Sequence, residues 1–392
     1  MTSLSRTYNI NVNRILSRRR GAFDLEDVYL WFHEYLKDDP RWQERACVSH
    51  PRVTISDSAY CSTIQIDAPR IDLLNEKQNF VEICRGEKWT PPAIILSLAK
   101  RTKSTLTQQS RRQIFHFESW LKQAGSPRLL FLKKAGPGIG GGFDVNAIVI
   151  RETSEDSPSL EDRVVALIEK QNQSSRYSRE IFVLQAGVEH PLLTPAGQKL
   201  DLRLYMLVVG DSEGLMAFYS CRVGDVRNTS AGPYSATSED SRLQVTNVSQ
   251  NKSAAGSFAE ITRVFSPETA PDWYDTVFSQ FLVISQRIGI IYSPLLRSET
   301  PTRNLPFVSL VGLDAVVDEN SLRPMIVELN RRPTVYTPEE AREMGYSSAL
   351  FMRDVFELGI RAQSDGTVGR SPSPDSQFVL VHLDNSRRLT MK

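Results

Sequence analysis

Three oxygen-bearing side chains at the ends of apolar runs are the first candidates for chemistry: Asp314 ahead of Ala315-Val316-Val317, then Glu328 and Asn330 within Ile326-Val327-Glu328-Leu329-Asn330. Side chains two apart on a strand share a face, so strict alternation puts Ile326, Glu328 and Asn330 on one side. The stretch Glu319-Asn320-Ser321-Leu322-Arg323-Pro324 suits a turn. Pairing across it would bring Asp314, Glu328 and Asn330 together. Such hard donors suit Mg²⁺, which takes one or two carboxylates and leaves its other positions to water and phosphate. Read without that context, they are ordinary polar strand ends.

Two further stretches carry charge in a pattern. Leu129 to Leu132 runs into Lys133-Lys134-Ala135-Gly136-Pro137-Gly138-Ile139-Gly140-Gly141-Gly142. Gly136, Gly138 and Gly141 satisfy G-x-G-x-x-G, but a dinucleotide fingerprint needs a helix next. Here Phe143 to Ile150 alternates and becomes β-branched, which predicts a strand. No G-K-[ST] follows, so a P-loop is excluded. What remains is a glycine hairpin with lysines at its base, either a cover for phosphates or a flexible tip. Downstream, Lys199, Asp201 and Arg203 fall at i, i+2 and i+4, opposite Leu200, Leu202 and Leu204. This alternation is also usual for a half-solvated sheet.

The elements that must position these groups are legible in outline. Leu25 to Leu36 has helical spacing, and Val53–Ile55, Cys61–Ile66 and Phe80–Ile83 read as short strands. Trp89-Thr90-Pro91-Pro92 is a turn before Ala93–Ala99, and Ile114–Leu121 is helical after the polar stretch 104–112. Ser159 and Asp162 form a capping-box pattern opening a helix on Leu160, Val164, Leu167 and Ile168. Ile181–Gln185 is a buried strand, Pro195–Gly197 a turn, 364–376 a Ser-, Gly- and Pro-rich loop expected to be mobile, and Phe378–Leu383 a last strand.

Composition limits the classes. With 392 residues, 40% hydrophobic and 24% charged, the chain should bury a real core in two or three domains. A net charge of +1 gives no reason to propose a general nucleic-acid or membrane binder, and Arg18-Arg19-Arg20 reads as solvated surface. The four cysteines lack C-x-x-C spacing and the five histidines lack H-x-x-x-H, so neither zinc nor a disulfide framework is indicated. A reducing, cytoplasmic setting is expected. No signal peptide or transmembrane run is read from the sequence.

Taken in order, these segments resemble the tubulin tyrosine ligase-like family of ATP-grasp enzymes. The resemblance rests on Phe131–Phe143, Val183–Leu193 with its Gln185 and Pro191-Leu192-Leu193, Lys199–Arg203, Arg222–Arg227, Val245–Lys252 and Gly312–Pro333. It implies an α/β (α+β) ATP-grasp fold in three parts, with a nucleotide cleft between central and C-terminal domains. The expected division is an N-terminal α/β domain (1–95), a central domain with the glycine loop (96–190), a C-terminal domain (191–362) and a loop and tail (363–392).

The resemblance also implies roles. Lys134 would contact ATP phosphates under a loop closed by Gly140 and Gly142, while Gln185 and Val188 would lie at the adenine hinge. Lys199 would reach ATP, and Asp201 would support the ribose or the substrate end. Arg203 and Arg222 would bind phosphate and the acyl-phosphate or amino-acid group. Thr246 and Asn247 would stand near substrate. Asp314, Glu328 and Asn330 would hold Mg²⁺, with Glu328 bridging two ions. The implied activity is ATP-dependent ligation: a carboxylate is activated as an acyl phosphate and attacked by an amine, as in tyrosination, glutamylation or glycylation of tubulin or another protein. Expected partners are a protein substrate, tubulin or an acidic tail, and a free amino acid, for a monomer that binds neither nucleic acid nor membrane.

Departures from the family pattern are specific. Gln244 replaces a histidine, Val245 a leucine and Leu200 a phenylalanine, Ala186 stands near a usual aromatic, and the glycine loop is about one residue short. Lys133 adds a second positive charge, which leaves open which lysine meets phosphate. Two alternatives follow: a weakened ATP-grasp pseudoenzyme that only binds, and a ligase for a small metabolite.

Overall fold

A computed structural model describes residues 76–99, 105–124, 129–135, 145–150, 158–174, 180–211, 213–229, 232–246, 259–260, 273–297, 306–331, 337–361 and 366–384. It also describes short strands or single residues before 76 and between 331 and 337. Most of the Leu25–Leu36 helix, the glycine loop with Gly140 and Gly142, and Asn247 lie outside the described residues.

One strand, β9 (Leu200–Gly210), organises the larger sheet. Its first half pairs with β11 (Asp225–Asn228) and its second half with β10 (Met216–Cys221) and with the start of β13 (Phe307–Asp318), all antiparallel. Beyond residue 310, β13 continues against β14 (Arg323–Arg331). On the flank away from β9, the start of β13 takes β4 (Ser62–Ile66) in parallel, followed by β3 (Thr54–Asp57). The last strand, β15 (Phe378–Asp384), closes onto β10. Residues 366–376, which precede it, make hydrogen-bonded turns, and Tyr219 OH donates to Arg370 O.

Alternation along β9 explains its burial. Leu200, Leu202, Leu204, Met206 and Val208 pack under the long helix Trp273–Leu296. On the opposite face Tyr205, Leu207 and Val209 pack with Ser348–Val355. The same opposite face begins with Lys199, Asp201 and Arg203, so it changes from charged to apolar partway along one strand.

A smaller antiparallel sheet has the order β5 (Ala93–Ser97), β8 (Ile181–Ala186), β6 (Leu129–Lys134), β7 (Val145–Val149). Leu130, Leu132, Phe182 and Leu184 pack under two helices, α2 (Gln108–Ala124) and α3 (Leu160–Ser174), which follow the short α1 (Lys77–Ile83). Helix α3 starts where the capping box places it: Ser159 N donates to Asp162 Oδ2, and Asp162 N to Ser159 Oγ. Helix α2 starts earlier than its apolar periodicity, since Thr107 Oγ1 accepts from Ser110 N.

The segment Phe80–Ile83 is helical, which corrects the strand expected there. Phe80, Val81 and Cys84 are buried while Glu82 is exposed. Phe80 and Cys84 therefore meet at i, i+4, a spacing too short to be distinguished from an apolar strand by periodicity. The chain as described is α+β, with two mainly antiparallel sheets and a two-stranded parallel pair, Arg6–Tyr8 with Trp42–Glu44. No helix among the described residues is long and apolar enough to cross a membrane.

Candidate functional site

The charged end of β9 meets three other strands. Across the β9–β11 ladder, Asp201 is the register partner of Arg227, whose Nε and Nη2 donate to its two carboxylate oxygens at 2.6 and 2.8 Å. Arg227 also reaches Asp314 Oδ1 on β13 at 3.0 Å. Arg203 grips the same carboxylate, its Nε donating to Oδ1 and its Nη2 to Oδ2. Two aspartates and two arginines thus alternate in a chain, and Thr246 Oγ1 donates to Asp201 Oδ2. Burial alone would raise the Asp314 pKa, but Arg203 and Arg227 outweigh it and hold the carboxyl down to about 2.

Asp314 stands opposite Glu328, and Gly312 opposite Asn330, in the β13–β14 ladder. Asn330 Nδ2 donates to Asp314 Oδ2 at 3.1 Å. Strict alternation does not hold here: a bulge follows Asp314, so Ala315 pairs with Ile326 and Val327 is the extra residue. Ile326 consequently turns into the helix-covered core together with Leu329 instead of sharing a face with Glu328. Gly312 has no room for a side chain, because a Cβ would lie 2.8 Å from Pro333 Cβ and 2.9 Å from Arg203 Cδ. Gly312→Ala should displace Arg203 and destabilise the fold by about 1–3 kcal/mol, as read by thermal unfolding.

The smaller sheet contributes from above. On β6 the odd residues Leu129 and Phe131 point away from α2 and α3, and Lys133 follows them. Its Nζ donates to Gln185 Oε1 at 2.6 Å, and burial lowers its pKa to about 8, with Glu328 the main counterweight. Lys134 points the other way, as alternation requires, and donates to Gln171 O near the end of α3 at 2.9 Å. The lysine on the cluster's side is therefore Lys133, whereas Lys134, to which the resemblance gave the phosphate contact, faces α3. Lys199 Nζ donates to Gln244 O at 2.8 Å and lies 4.6 Å from the centroid of the Phe131 ring. Burial lowers its pKa to about 8 too, against the field of Asp201. Val188 is half-buried just past β8.

Arg222 does not join the cluster. It is exposed in the turn after β10, and its guanidinium lies over Phe278 of the long helix, on the far side of the larger sheet. Arg227 stands in the cluster instead, because β11 brings 227 and not 222 opposite Asp201. Lys77 was also missed: at the start of α1 its Nζ lies 3.4 Å from Glu328 Oε1. Nothing local in the polar run around Lys77 marks it, since its partner is 251 positions away in the sequence.

Among the described residues the arrangement gathers five cations, Lys77, Lys133, Lys199, Arg203 and Arg227, against the carboxylates of Asp201, Asp314 and Glu328, with the buried Asp225 opposite Arg203 in the β9–β11 ladder as a fourth acid. Such a surplus of positive charge in a region of low dielectric favours a polyanion. Among the described residues, no three His, Cys, Asp or Glu side chains converge to hold a metal ion. Two carboxylates and an amide oxygen at 314, 328 and 330 nevertheless suffice for Mg²⁺, whose remaining positions go to water and phosphate. Of the two carboxylates, Glu328 is the less committed, since Asp314 already serves two guanidinium groups.

No curated protein matches the chain. The pattern of the Tubulin-tyrosine ligase family matches residues 157–362, a little over half of the chain. That region contains Gln185, all of β9, Arg227 and the β13–β14 pair, while Lys77 and Lys133 approach from outside it. With the cation-rich cluster lying largely inside the matched residues, the chain belongs to the tubulin-tyrosine ligase family.

Proposed function

We propose that this protein is an ATP-dependent ligase that adds an amino acid to a protein carboxylate, with tubulin or another acidic tail as acceptor. Family membership gives the class, an ATP-dependent ligase forming an amide bond, and the family generally uses ATP and Mg²⁺. The observation that carries the reading is the buried excess of cations beside the Asp314–Glu328 pair. ATP with Mg²⁺ supplies, when bound, the phosphoryl group that activates a carboxylate for attack by an amine.

The chain's own residues have distinct tasks in this reading. Lys133 and Lys199 stabilise phosphate charge from the two sheets, and Lys77 does so from α1. Glu328 and Asn330 offer oxygen ligands to Mg²⁺, with Asp314 as third donor. Asp201 and Thr246 keep Arg227 aligned, and Arg203 and Arg227 present guanidinium groups to the acyl-phosphate oxygens. Gln185 fixes Lys133 at the edge of the hinge, which continues through Val188. The reaction asks for no covalent enzyme nucleophile, only for charge held in position.

The test is incubation with Mg·ATP, an acidic acceptor peptide and each amino acid in turn, with mass spectrometry for an added residue and an assay for ADP. Wild type should add one kind of residue, and Glu328→Gln should lower the rate by roughly 100-fold or more while remaining folded. Undiminished ligation by Glu328→Gln would overturn the metal assignment. Nucleotide binding without any product would favour a binding module instead. Transfer to small acids alone would favour a metabolite ligase.

A further inference from the structure

The five cations of the cleft are not held alike. Arg203 and Arg227 are bound by carboxylates, and Lys77 lies beside Glu328. Lys199 instead has two neutral neighbours, the Gln244 carbonyl at 2.8 Å and the Phe131 ring at 4.6 Å. Its nearest acid along β9, Asp201, already receives both Arg227 nitrogens and the Thr246 hydroxyl. The other charged group in its field is Lys133, a like charge.

Phe131 is suited to hold this ammonium. It lies on the same face of β6 as Lys133, 8% exposed, and its ring is confined by Gly187, where an added Cβ would come within 3.2 Å of Cε2. An aromatic face attracts a cation through its quadrupole without carrying net charge. A carboxylate in that place would hold the lysine equally well but would also repel an incoming anion.

We propose that Phe131 is a positioning residue for Lys199: its ring and the Gln244 carbonyl fix the ammonium in the cleft without neutralising it, leaving its full charge for a nucleotide phosphate. This rests on the reading of the cleft as a nucleotide site. An aliphatic residue at 131 would fill similar space but release the ammonium, whereas a tyrosine would keep the ring.

The experiment compares Mg·ATP binding by calorimetry for wild type, Phe131→Leu, Phe131→Tyr, Lys199→Gln and Phe131→Leu with Lys199→Gln, with unfolding midpoints measured in parallel. Phe131→Leu should weaken binding roughly tenfold, and Phe131→Tyr should stay within about twofold of wild type. Phe131→Leu should add nothing once Lys199 is Gln. Equal losses for Leu and Tyr, or additive losses in the double variant, would overturn the proposal. Without nucleotide, NMR of isotope-labelled lysine should show the Lys199 ε-methylene shielded by the ring in wild type and not in Phe131→Leu. Absence of that difference overturns the contact itself. If the ring shift is present but wild type binds no Mg·ATP, the nucleotide reading falls and the role given to the ring falls with it.

Discussion

Asp314→Ala is expected to lower the unfolding free energy by about 3–5 kcal/mol, more than any other single substitution in the cleft. The cause is not the lost carboxylate itself. Arg227 is buried and Arg203 largely so against Asp314, and removing it leaves Arg203 without its ion-pair partner and Arg227 with Asp201 alone. An unpaired buried charge keeps its desolvation penalty after losing the attraction that offset it. Urea titration of Asp314→Ala beside Asn330→Ala separates the two effects, since the Asn330 variant loses one neutral-donor hydrogen bond and should cost about 1 kcal/mol. A loss below that in Asp314→Ala would mean that the arginines find other partners.

Acid pH should reveal the same network. The Asp314 carboxyl titrates at about 2 in the folded chain, below its ordinary value. A carboxylate with a depressed folded pKa contributes stability that is complete above its unfolded pKa and is lost as pH falls through the folded one. Wild type should therefore lose this contribution between about pH 4 and pH 2, and Asp314→Ala should lack that part of the acid limb.

The second large effect distinguishes the adjacent lysines. Lys133→Met should weaken Mg·ATP binding roughly 10- to 100-fold, because Lys133 faces Gln185 and the carboxylates of the cleft. Lys134→Met should leave affinity within about twofold and instead lower stability, since Lys134 is bonded to Gln171 O beneath α3. The reverse pattern would restore the role to Lys134. Both Lys133 and Lys199 titrate near 8, so the free cleft loses positive charge as pH rises above that value. Phosphate binding then requires proton uptake, and affinity should fall from pH 8 upwards, less steeply in Lys133→Met. The unfolded chain keeps those protons up to about pH 10.4, so the stability of the nucleotide-free protein should rise across the same window.

Much of this design is local and therefore written in the sequence. Ser159 and Asp162 cap a helix by their own spacing, Gly197 closes a turn at φ +73°, and β9 alternates along its length. The turn at 319–322 is short enough that β13 and β14 must pair, which brings Asp314 to Glu328. Periodicity and turn chemistry act over a few residues, so one stretch suffices to read them.

What tertiary structure alone decides is where those faces point and what meets them. The sequence offers two lysines in a row, and only the packing of α2 and α3 on the even face of β6 sends Lys134 away and Lys133 inward. It offers two arginines on either side of a turn, and only the β9–β11 register selects Arg227 over Arg222. The opening constellation of Asp314, Glu328 and Asn330 is legible by type, but the bulge beside it turns Ile326 inward, and two arginines from other strands share Asp314. A charged face on β9 that alone would be solvated is buried because a second sheet and the residues around Thr246 close over it. Partners up to 251 positions apart set these outcomes through packing and electrostatics, neither of which has a signature in any single segment.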